Sequence, residues 1–149
     1  MSHWFEYFPG HHMWSQGMLF GIEMQTWGAA ALGEIDQVGQ KLKGHVGDNE
    51  KWWVEWTTMA RRIEGFGEAA ERAGRQLTAG SYYLRAAVYY FCGERFIAPR
   101  GANGIPIAIA CAAFARASNA ATRISSGSRC PTCTMSRARH CPPGCSRPT

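Results

Sequence analysis

The second part of this sequence lacks several residue types that folded domains use. No Asp or Glu follows Glu94, no Trp or Tyr follows Tyr90, and no Lys follows Arg100. Residues 1–100 contain 10 Lys and Arg against 11 Asp and Glu, whereas residues 101–149 contain six Arg and no acidic residue. The overall net charge of +5 therefore describes neither part. We predict two unlike segments that meet near residue 100.

Other absences exclude whole classes of protein. No run reaches the roughly 18 apolar residues that a membrane-spanning helix needs, and the apolar stretch at 104–115 is too short. Residues 1–6 lack the basic start and the uninterrupted apolar stretch of a signal peptide. We therefore expect a cytoplasmic protein with no membrane partner, and we expect no cofactor.

One long amphipathic helix is predicted over residues 48–74. Asp48 is suited to cap its N-terminus, and Glu50 lies favourably in its first turn. Apolar residues then recur at steps of four and three, which is the spacing of one helix face: Trp52, Trp56, Met59, Ile63, Phe66, Ala70 and Ala73. Burial of each large member contributes roughly 1.5–3 kcal/mol, so this face must pack against a partner.

Two further helices complete an all-α prediction. Apolar residues surround nearly the whole circumference over 82–96, after a start at Thr78 or Ser81, which indicates a helix buried on several sides. An earlier helix over about 26–43 carries Trp27 and Glu34, and an aromatic segment broken by Pro9 and Gly10 precedes it. We expect a domain of three or four helices over 1–100, and a largely disordered Arg-, Ala-, Cys- and Pro-rich tail over 101–149.

Several short motifs in the first hundred residues resemble one helical domain. They are Gly33-Glu34, then Trp52 with Glu55-Trp56, then the run from Thr78 to Ala86, then Tyr89-Tyr90 and Arg95-Phe96. This order resembles the N-terminal helical cap of the α/β-hydrolases related to 2,6-dihydropseudooxynicotine hydrolase and to the fermentation–respiration switch esterases. The resemblance covers about residues 13–98.

The resemblance implies a serine hydrolase that acts on a small carbonyl-containing substrate. In that family a strand resembling Val-Glu-Val-Pro-Tyr and a full sheet follow the cap, and the sheet carries a Gly-x-Ser-x-Gly nucleophile with later Asp and His. This sequence contains no Gly-x-Ser-x-Gly, and its last His is His140 in the tail. We therefore expect no catalytic residue and no α/β-hydrolase sheet in this chain, and no hydrolase activity from it alone.

The tail is compatible with the expected strand in another reading frame. Residues 127–132 can be encoded GGG-TCG-AGG-TGC-CCT-ACG, and a shifted reading of the same bases gives Val-Glu-Val-Pro-Tyr. A tail rich in Arg, Ala, Cys and Pro without Lys or acidic residues is what shifted GC-rich codons produce. We hypothesise a truncated product, with a frameshift near Arg100–Gly104.

The cap resemblance suggests a pocket at the boundary with the missing hydrolase domain, since ligand sites favour domain interfaces. Candidate lining residues are aromatic, although a role in the core is the simpler interpretation: Trp52, Trp56, Tyr82, Tyr83 and Tyr89. Glu34 and Arg85 lie within apolar helices, where charges need partners. For these two we favour a structural pair or a helix cap over contact with substrate.

Metal binding is a weaker interpretation of the His and Cys residues. The tail carries Cys130, Cys133, His140, Cys141 and Cys145, which supply zinc-type ligands but have almost no apolar neighbours to build a zinc domain. His11-His12 form an adjacent pair near a turn, where solvated side chains are usual. We expect no metal site.

Two other functions fit parts of the sequence. Paired helices with Trp and Tyr are typical of helical protein-interaction modules, although no period of about 34 residues recurs here. Six Arg in a tail could bind nucleic-acid phosphates, but no aromatic residue is interleaved with them for base stacking. Dimerisation through exposed apolar helices is a further prediction.

Overall fold

The computed structural model describes residues 5–97, 111–120 and 122, and every regular element among them is helical. The four longer helices are α1 (His12–Glu23), α2 (Leu32–Leu42), α3 (Asn49–Arg72) and α4 (Gln76–Glu94). Short 3₁₀ helices at Met24–Trp27 and Lys43–His45 follow α1 and α2. Residues 111–120 form a further helix, α5. The described residues contain no strand, which confirms the all-α prediction and the absence of a sheet from this part of the chain.

Helix α3 has the start and the end that its sequence predicted. The Asp48 carboxylate accepts hydrogen bonds from the N–H groups of Glu50 and Lys51 at 3.0 and 3.1 Å. Gly74 follows the helix in the left-handed region at φ 73°, which suits a glycine beyond a helix C-terminus. The predicted apolar face is buried except at Phe66 and Ala73, which are exposed.

Helices α3 and α4 form the most extensive contact in the fold. Two glycines allow this approach. A Cβ atom on Gly67 of α3 would lie 2.7 Å from the Tyr83 ring, and one on Gly93 of α4 would lie 3.2 Å from the Trp56 Cβ. Helix α4 begins at Gln76, slightly before the predicted start at Thr78 or Ser81, and no side chain caps it.

The helix predicted over 26–43 is shorter than expected. Gly28 adopts a left-handed φ of 70° after the 3₁₀ turn, and α2 begins only at Leu32. Trp27 therefore precedes the helix and is 77% exposed, whereas the sequence pattern had placed it within the helix. The aromatic segment that precedes this region contains α1, whose Gly17 and Gly21 lie against the rings of Trp52 and Trp56.

A cluster of large rings fills the centre where α1, α3 and α4 meet. We call it the aromatic core: Trp14, Trp52, Trp56, Tyr89 and Phe96. Its ring centroids lie 4.9 Å apart for Trp14 and Trp52, and 5.7 Å apart for both Trp52–Trp56 and Trp56–Tyr89. The Trp52 Nε1–H donates to the backbone oxygen of Cys92 at 2.8 Å. The indole is thus fixed in orientation as well as buried.

Helix α5 packs against α3 and α4 and lies within the segment for which the sequence predicted little order. Ala113 and Ala120 are buried, and the Arg116 guanidinium reaches Glu64. This contact crosses the predicted boundary at residue 100. Residues 98–110, 121 and 123–149 lie outside the described part of the chain. The prediction that the tail is largely disordered therefore concerns mostly residues that the structure does not describe.

None of the helices in the described ranges combines the length and the apolar character that crossing a bilayer requires.

Candidate functional site

Three polar side chains meet between α2 and α4, and we call them the polar clamp: Glu34, Arg85 and Tyr89. The Arg85 Nη1 donates to Glu34 Oε1 at 3.2 Å, and the Tyr89 hydroxyl donates to Glu34 Oε2 at 2.6 Å. The Ala31 N–H donates to the Tyr89 oxygen at 2.8 Å, just before α2 begins. Both side chains of the ion pair are about four-fifths buried. The clamp therefore joins the start of α2 to the middle of α4.

The clamp continues directly into the aromatic core. Tyr89 carries its hydroxyl in the clamp while its ring packs on Trp56, which in turn contacts Trp52. Gly33-Glu34, Trp52 with Trp56, Arg85-Ala86 and Tyr89 are the motifs that suggested a hydrolase cap. The fold brings residues from each of these motifs into one connected unit, although they lie up to 56 positions apart in the sequence.

A cavity of about 420 Å³ lies beside the clamp, and we call it the α4 cavity. Its wall combines apolar residues, three hydroxyl-bearing residues and one guanidinium: Gly28, Ala30, Leu77, Thr78, Ser81, Tyr82 and Arg85. The Arg85 guanidinium also lies 4.9 Å from the centre of the Tyr82 ring, in cation–π contact. The Arg85 Nε is buried and has no hydrogen-bond partner in the described part of the chain. The cavity thus offers an apolar wall, hydroxyl groups and a fixed guanidinium to a small ligand.

A second cavity of about 360 Å³ lies where α5 meets α3. Its lining is mostly charged: Glu68, Glu71, Arg72, Tyr83, Arg116, Asn119 and Ala120. The Tyr83 hydroxyl donates to Glu71 Oε2 at 2.8 Å. Two carboxylates and two guanidinium groups are among its seven lining residues, so it suits a ligand with an apolar body less well than the α4 cavity does.

The buried tyrosines remain protonated at neutral pH. Burial, reinforced by the hydrogen bond to Glu71, raises the pKa of Tyr83 to about 12. Burial and the hydrogen bond to Glu34 raise the pKa of Tyr89 as well. Burial likewise raises the pKa of the Cys92 thiol to about 12, so this thiol is a poor nucleophile. These groups act as hydrogen-bond donors or as packing side chains, and none of them is activated for catalysis.

The structure divides the predicted pocket residues into two groups. Tyr82 lines the α4 cavity, and Tyr83 lines the second cavity. Trp52, Trp56 and Tyr89 are fully buried in the aromatic core. Glu34 and Arg85 form the ion pair of the clamp, and Arg85 also lines the α4 cavity.

Other cavity residues were not identified as such from the sequence. Thr78 and Ser81 had been assigned as helix starts and as part of the cap-like run from Thr78 to Ala86, and Leu77 had no role. A signal was available, because Thr78, Ser81, Tyr82 and Arg85 follow helical spacing and therefore share one face of α4. The missing information was that Gly28 and Ala30 would lie opposite this face.

No group of three or more metal-ligating side chains occurs within residues 5–97, 111–120 and 122. The tail residues considered for zinc, Cys130, Cys133, His140, Cys141 and Cys145, lie outside these ranges.

Comparison with known proteins gives one informative similarity. The chain is 37% identical over 82 residues to an α/β-hydrolase, pydG, of Acremonium sp, and the match covers 51% of this chain. It covers only 19% of that protein, so this chain corresponds to about a fifth of its length. No protein-family model matches the chain, and no solved structure matches it. The partial similarity supports an origin within the hydrolase family.

Proposed function

We propose that residues 1–100 derive from the helical cap of an α/β-hydrolase of the kind related to 2,6-dihydropseudooxynicotine hydrolase. The observation that carries this proposal is the union of the cap-like motifs in the polar clamp and the aromatic core. Residues from Gly33-Glu34, Trp52 with Trp56, and Arg85-Ala86 form one packed unit. Such packing is expected if this domain and the hydrolase caps descend from a common ancestor. The 37% identity with an α/β-hydrolase independently supports the same origin.

The proposal includes a frameshift near Arg100–Gly104. Its support is the absence of acidic residues after Glu94, together with the shifted frame of residues 127–132 that permits Val-Glu-Val-Pro-Tyr. In the parent protein, a serine in the missing sheet would attack a substrate carbonyl while backbone N–H groups stabilise the oxyanion. The 149-residue chain contains no Gly-x-Ser-x-Gly, so it would be inactive alone.

The α4 cavity is the part of the cap that we propose faces substrate in the parent. Leu77 and Tyr82 offer apolar surface, whereas Thr78, Ser81 and Arg85 offer hydrogen-bond donors. This combination suits a small molecule with an apolar body and a carbonyl or carboxylate group. The side chains of Trp52, Trp56 and Tyr89 would support the cavity from the aromatic core and would not contact the ligand.

Nucleotide sequencing from codon 95 onward tests the frameshift directly. A second reading frame that encodes Val-Glu-Val-Pro-Tyr and a later Gly-x-Ser-x-Gly is the expected result. A frame without these motifs contradicts the proposal. Labelling with a fluorophosphonate then compares the 149-residue chain with the product of the restored frame. Only the restored product should form a phosphonylated serine with release of fluoride, and labelling of the 149-residue chain would contradict its inactivity.

Substitutions in the restored-frame enzyme test the cavity. Tyr82→Ala should raise KM about tenfold, because it removes the aromatic wall that contacts substrate and the cation–π partner of Arg85. Phe91→Ala is the matched control, since Phe91 is a partly exposed ring on the same helix that does not line the cavity. Equal effects of the two substitutions would exclude this role of the α4 cavity.

A helical protein-interaction module is the second candidate function, and it is favoured by exposed apolar side chains. Leu77 is 73% exposed and lines the α4 cavity. Trp27 is 77% exposed and directly precedes Gly28, which also lines this cavity. Sedimentation of the chain would detect a dimer, and a pull-down with Trp27→Ala as control would detect another protein. Nucleic-acid binding by the Arg-rich tail remains a weaker candidate, which salt-dependent binding lost on deletion of 101–149 would support.

A further inference from the structure

A shallow groove between the end of α3 and the start of α4 receives helix α5. The groove consists of Ala70, Ala79, Gly80 and Tyr83, and Ala117 of α5 packs against it. A Cβ atom on Gly80 would lie 3.3 Å from the Ala120 Cβ, so the absence of a side chain at Gly80 lets the two helices approach. Ala113, Ala117 and Ala120 recur at steps of four and three and therefore form one face of α5. The contact thus depends on small side chains on both partners.

One arginine fixes α5 on this groove. The Arg116 Nη1 donates to Glu64 Oε1 at 2.9 Å and to Glu68 Oε1 at 3.3 Å, and its guanidinium lies 5.5 Å from the centre of the Tyr83 ring. Glu64 is itself oriented, because its Oε2 accepts a hydrogen bond from the Tyr90 hydroxyl at 2.8 Å. The charges are complementary, since α3 supplies the carboxylates and the tail supplies only cations.

The helix contributes little apolar area to the core. Its one large apolar side chain, Phe114, is 57% exposed, and the side chains that it buries are alanines. The Arg116 side chain is itself about half exposed, so solvent weakens its ion pairs. Because most of the stability of a helix in a protein comes from its tertiary packing, the formation of α5 and its binding to the groove depend on each other.

We propose that α5 is a detachable helical ligand of the α3–α4 groove, held by Arg116 and released by salt. The groove is thereby a recognition surface for a short helix with alanines at i, i+4 and i+7 and an arginine at i+3. Its occupant is residues 111–120 of the same chain. Release leaves the four-helix unit intact and uncovers Tyr83 and the Glu64–Glu68 pair.

Amide hydrogen exchange of the complete 149-residue chain tests this proposal. We expect the amides of residues 111–120 to exchange faster than those in the centres of α3 and α4. Arg116→Gln should lower protection in 111–120 about fivefold and leave α3 and α4 unchanged. Raising NaCl from about 0.05 M to about 0.5 M should lower the same protection in the natural chain and much less in the variant.

Two further variants separate the charge from the packing. Gly80→Leu keeps every charge but fills the groove beside Ala120, so it should also remove protection from 111–120. Lys41→Gln is the matched control, because it breaks the 3.1 Å pair of Lys41 with Glu55 by the same loss of one positive charge far from α5. This control should leave protection in 111–120 unchanged.

Three results would overturn the proposal. Unchanged protection of 111–120 in both Arg116→Gln and Gly80→Leu would show that the groove does not hold the helix. Equal loss of protection in α3, α4 and α5 would make α5 an integral part of one cooperative unit. Protection of 111–120 that falls on tenfold dilution would identify the occupant as α5 from a second copy of the chain.

Discussion

The two ends of the α3–α4 pair are held together by opposite means. At the end near α1, the large rings of Trp52 and Trp56 meet the glycines of neighbouring helices, and Tyr89 packs on Trp56. At the end near α5, alanines and Gly80 pack closely, and Arg116 bridges to Glu64. Because hydrophobic stabilisation follows buried apolar area, the first end should dominate the stability of the fold. The second end is more sensitive to salt and to charge.

We therefore expect that the stability of helices α1–α4 and the attachment of α5 can be changed independently. Rings that occupy spaces opposite glycines tolerate neither a smaller ring nor an added methyl group. Surface ion pairs contribute little each and are weakened by salt. The predictions below test this contrast, beginning with the aromatic core.

The largest effect is expected for Trp56→Ala. This indole is fully buried between Trp52 and Tyr89, so its removal leaves a cavity and should lower the free energy of unfolding by about 3–5 kcal/mol. Urea denaturation followed by circular dichroism measures this change. Trp27→Ala removes the same side chain from an exposed position and should change stability by less than about 0.5 kcal/mol. Similar losses in both variants would contradict the assignment of the core.

Two glycines in α3 should respond in opposite directions to the same substitution. Gly67→Ala places a methyl group 2.7 Å from the Tyr83 ring, which is fixed by its bond to Glu71, and should destabilise the chain by about 1–3 kcal/mol. Gly65→Ala meets no atom within 4 Å and should stabilise by about 0.5–1 kcal/mol through helix propensity. A stabilising Gly67→Ala would show that α3 and α4 are further apart than described.

A smaller effect distinguishes the two central tryptophans. Trp52 donates its Nε1–H to the Cys92 oxygen, whereas the buried Nε1 of Trp56 has no hydrogen-bond partner in the described residues. Trp52→Phe should therefore cost about 1 kcal/mol more than Trp56→Phe, since only the first loses a hydrogen bond. Chemical denaturation of both variants gives this difference. Equal costs would contradict this difference and would indicate that the Trp56 Nε1–H also has a hydrogen-bond partner.

The smallest effect is expected at alkaline pH near the α5 end. The Tyr83 pKa rises from 10.0 to about 12 on folding, so the unfolded chain loses this proton first. The contribution of Tyr83 is therefore complete below pH 10 and is lost as the pH rises through 12. Urea midpoints between pH 9 and pH 12 should fall less steeply in Tyr83→Phe than in the natural chain. Parallel curves would show that Tyr83 titrates normally.

Much of the fold could be predicted because its longest helix carries clear local signals. Asp48 and Gly74 mark the ends of α3, and the spacing of its apolar residues identified five of its eight buried residues. The charges of Glu34 and Arg85 within apolar helices indicated that each needed a partner. That they pair with each other depends on how α2 packs against α4, and no local sequence pattern indicates this packing.

The remaining features depend on contacts between distant residues. Trp27 matched the apolar face of a longer helix, but Gly28 turns the chain before α2 begins. The α4 cavity forms only when Gly28 and Ala30 lie opposite Ser81 and Tyr82. Helix α5 was not predicted, because residues 111–120 carry no broad apolar face and their binding depends on Glu64 of another helix.

The exposed position of Trp27 has a practical consequence. Its indole is in water while those of Trp14, Trp52 and Trp56 are buried and Trp53 is half-buried, so among the Trp residues that the structure describes a dissolved quencher such as acrylamide reaches Trp27 first. Trp27 also directly precedes Gly28, which lines the α4 cavity. The chain therefore carries an intrinsic fluorescent probe, and shielding of that probe by an added small molecule would reveal occupancy of the cavity without any label.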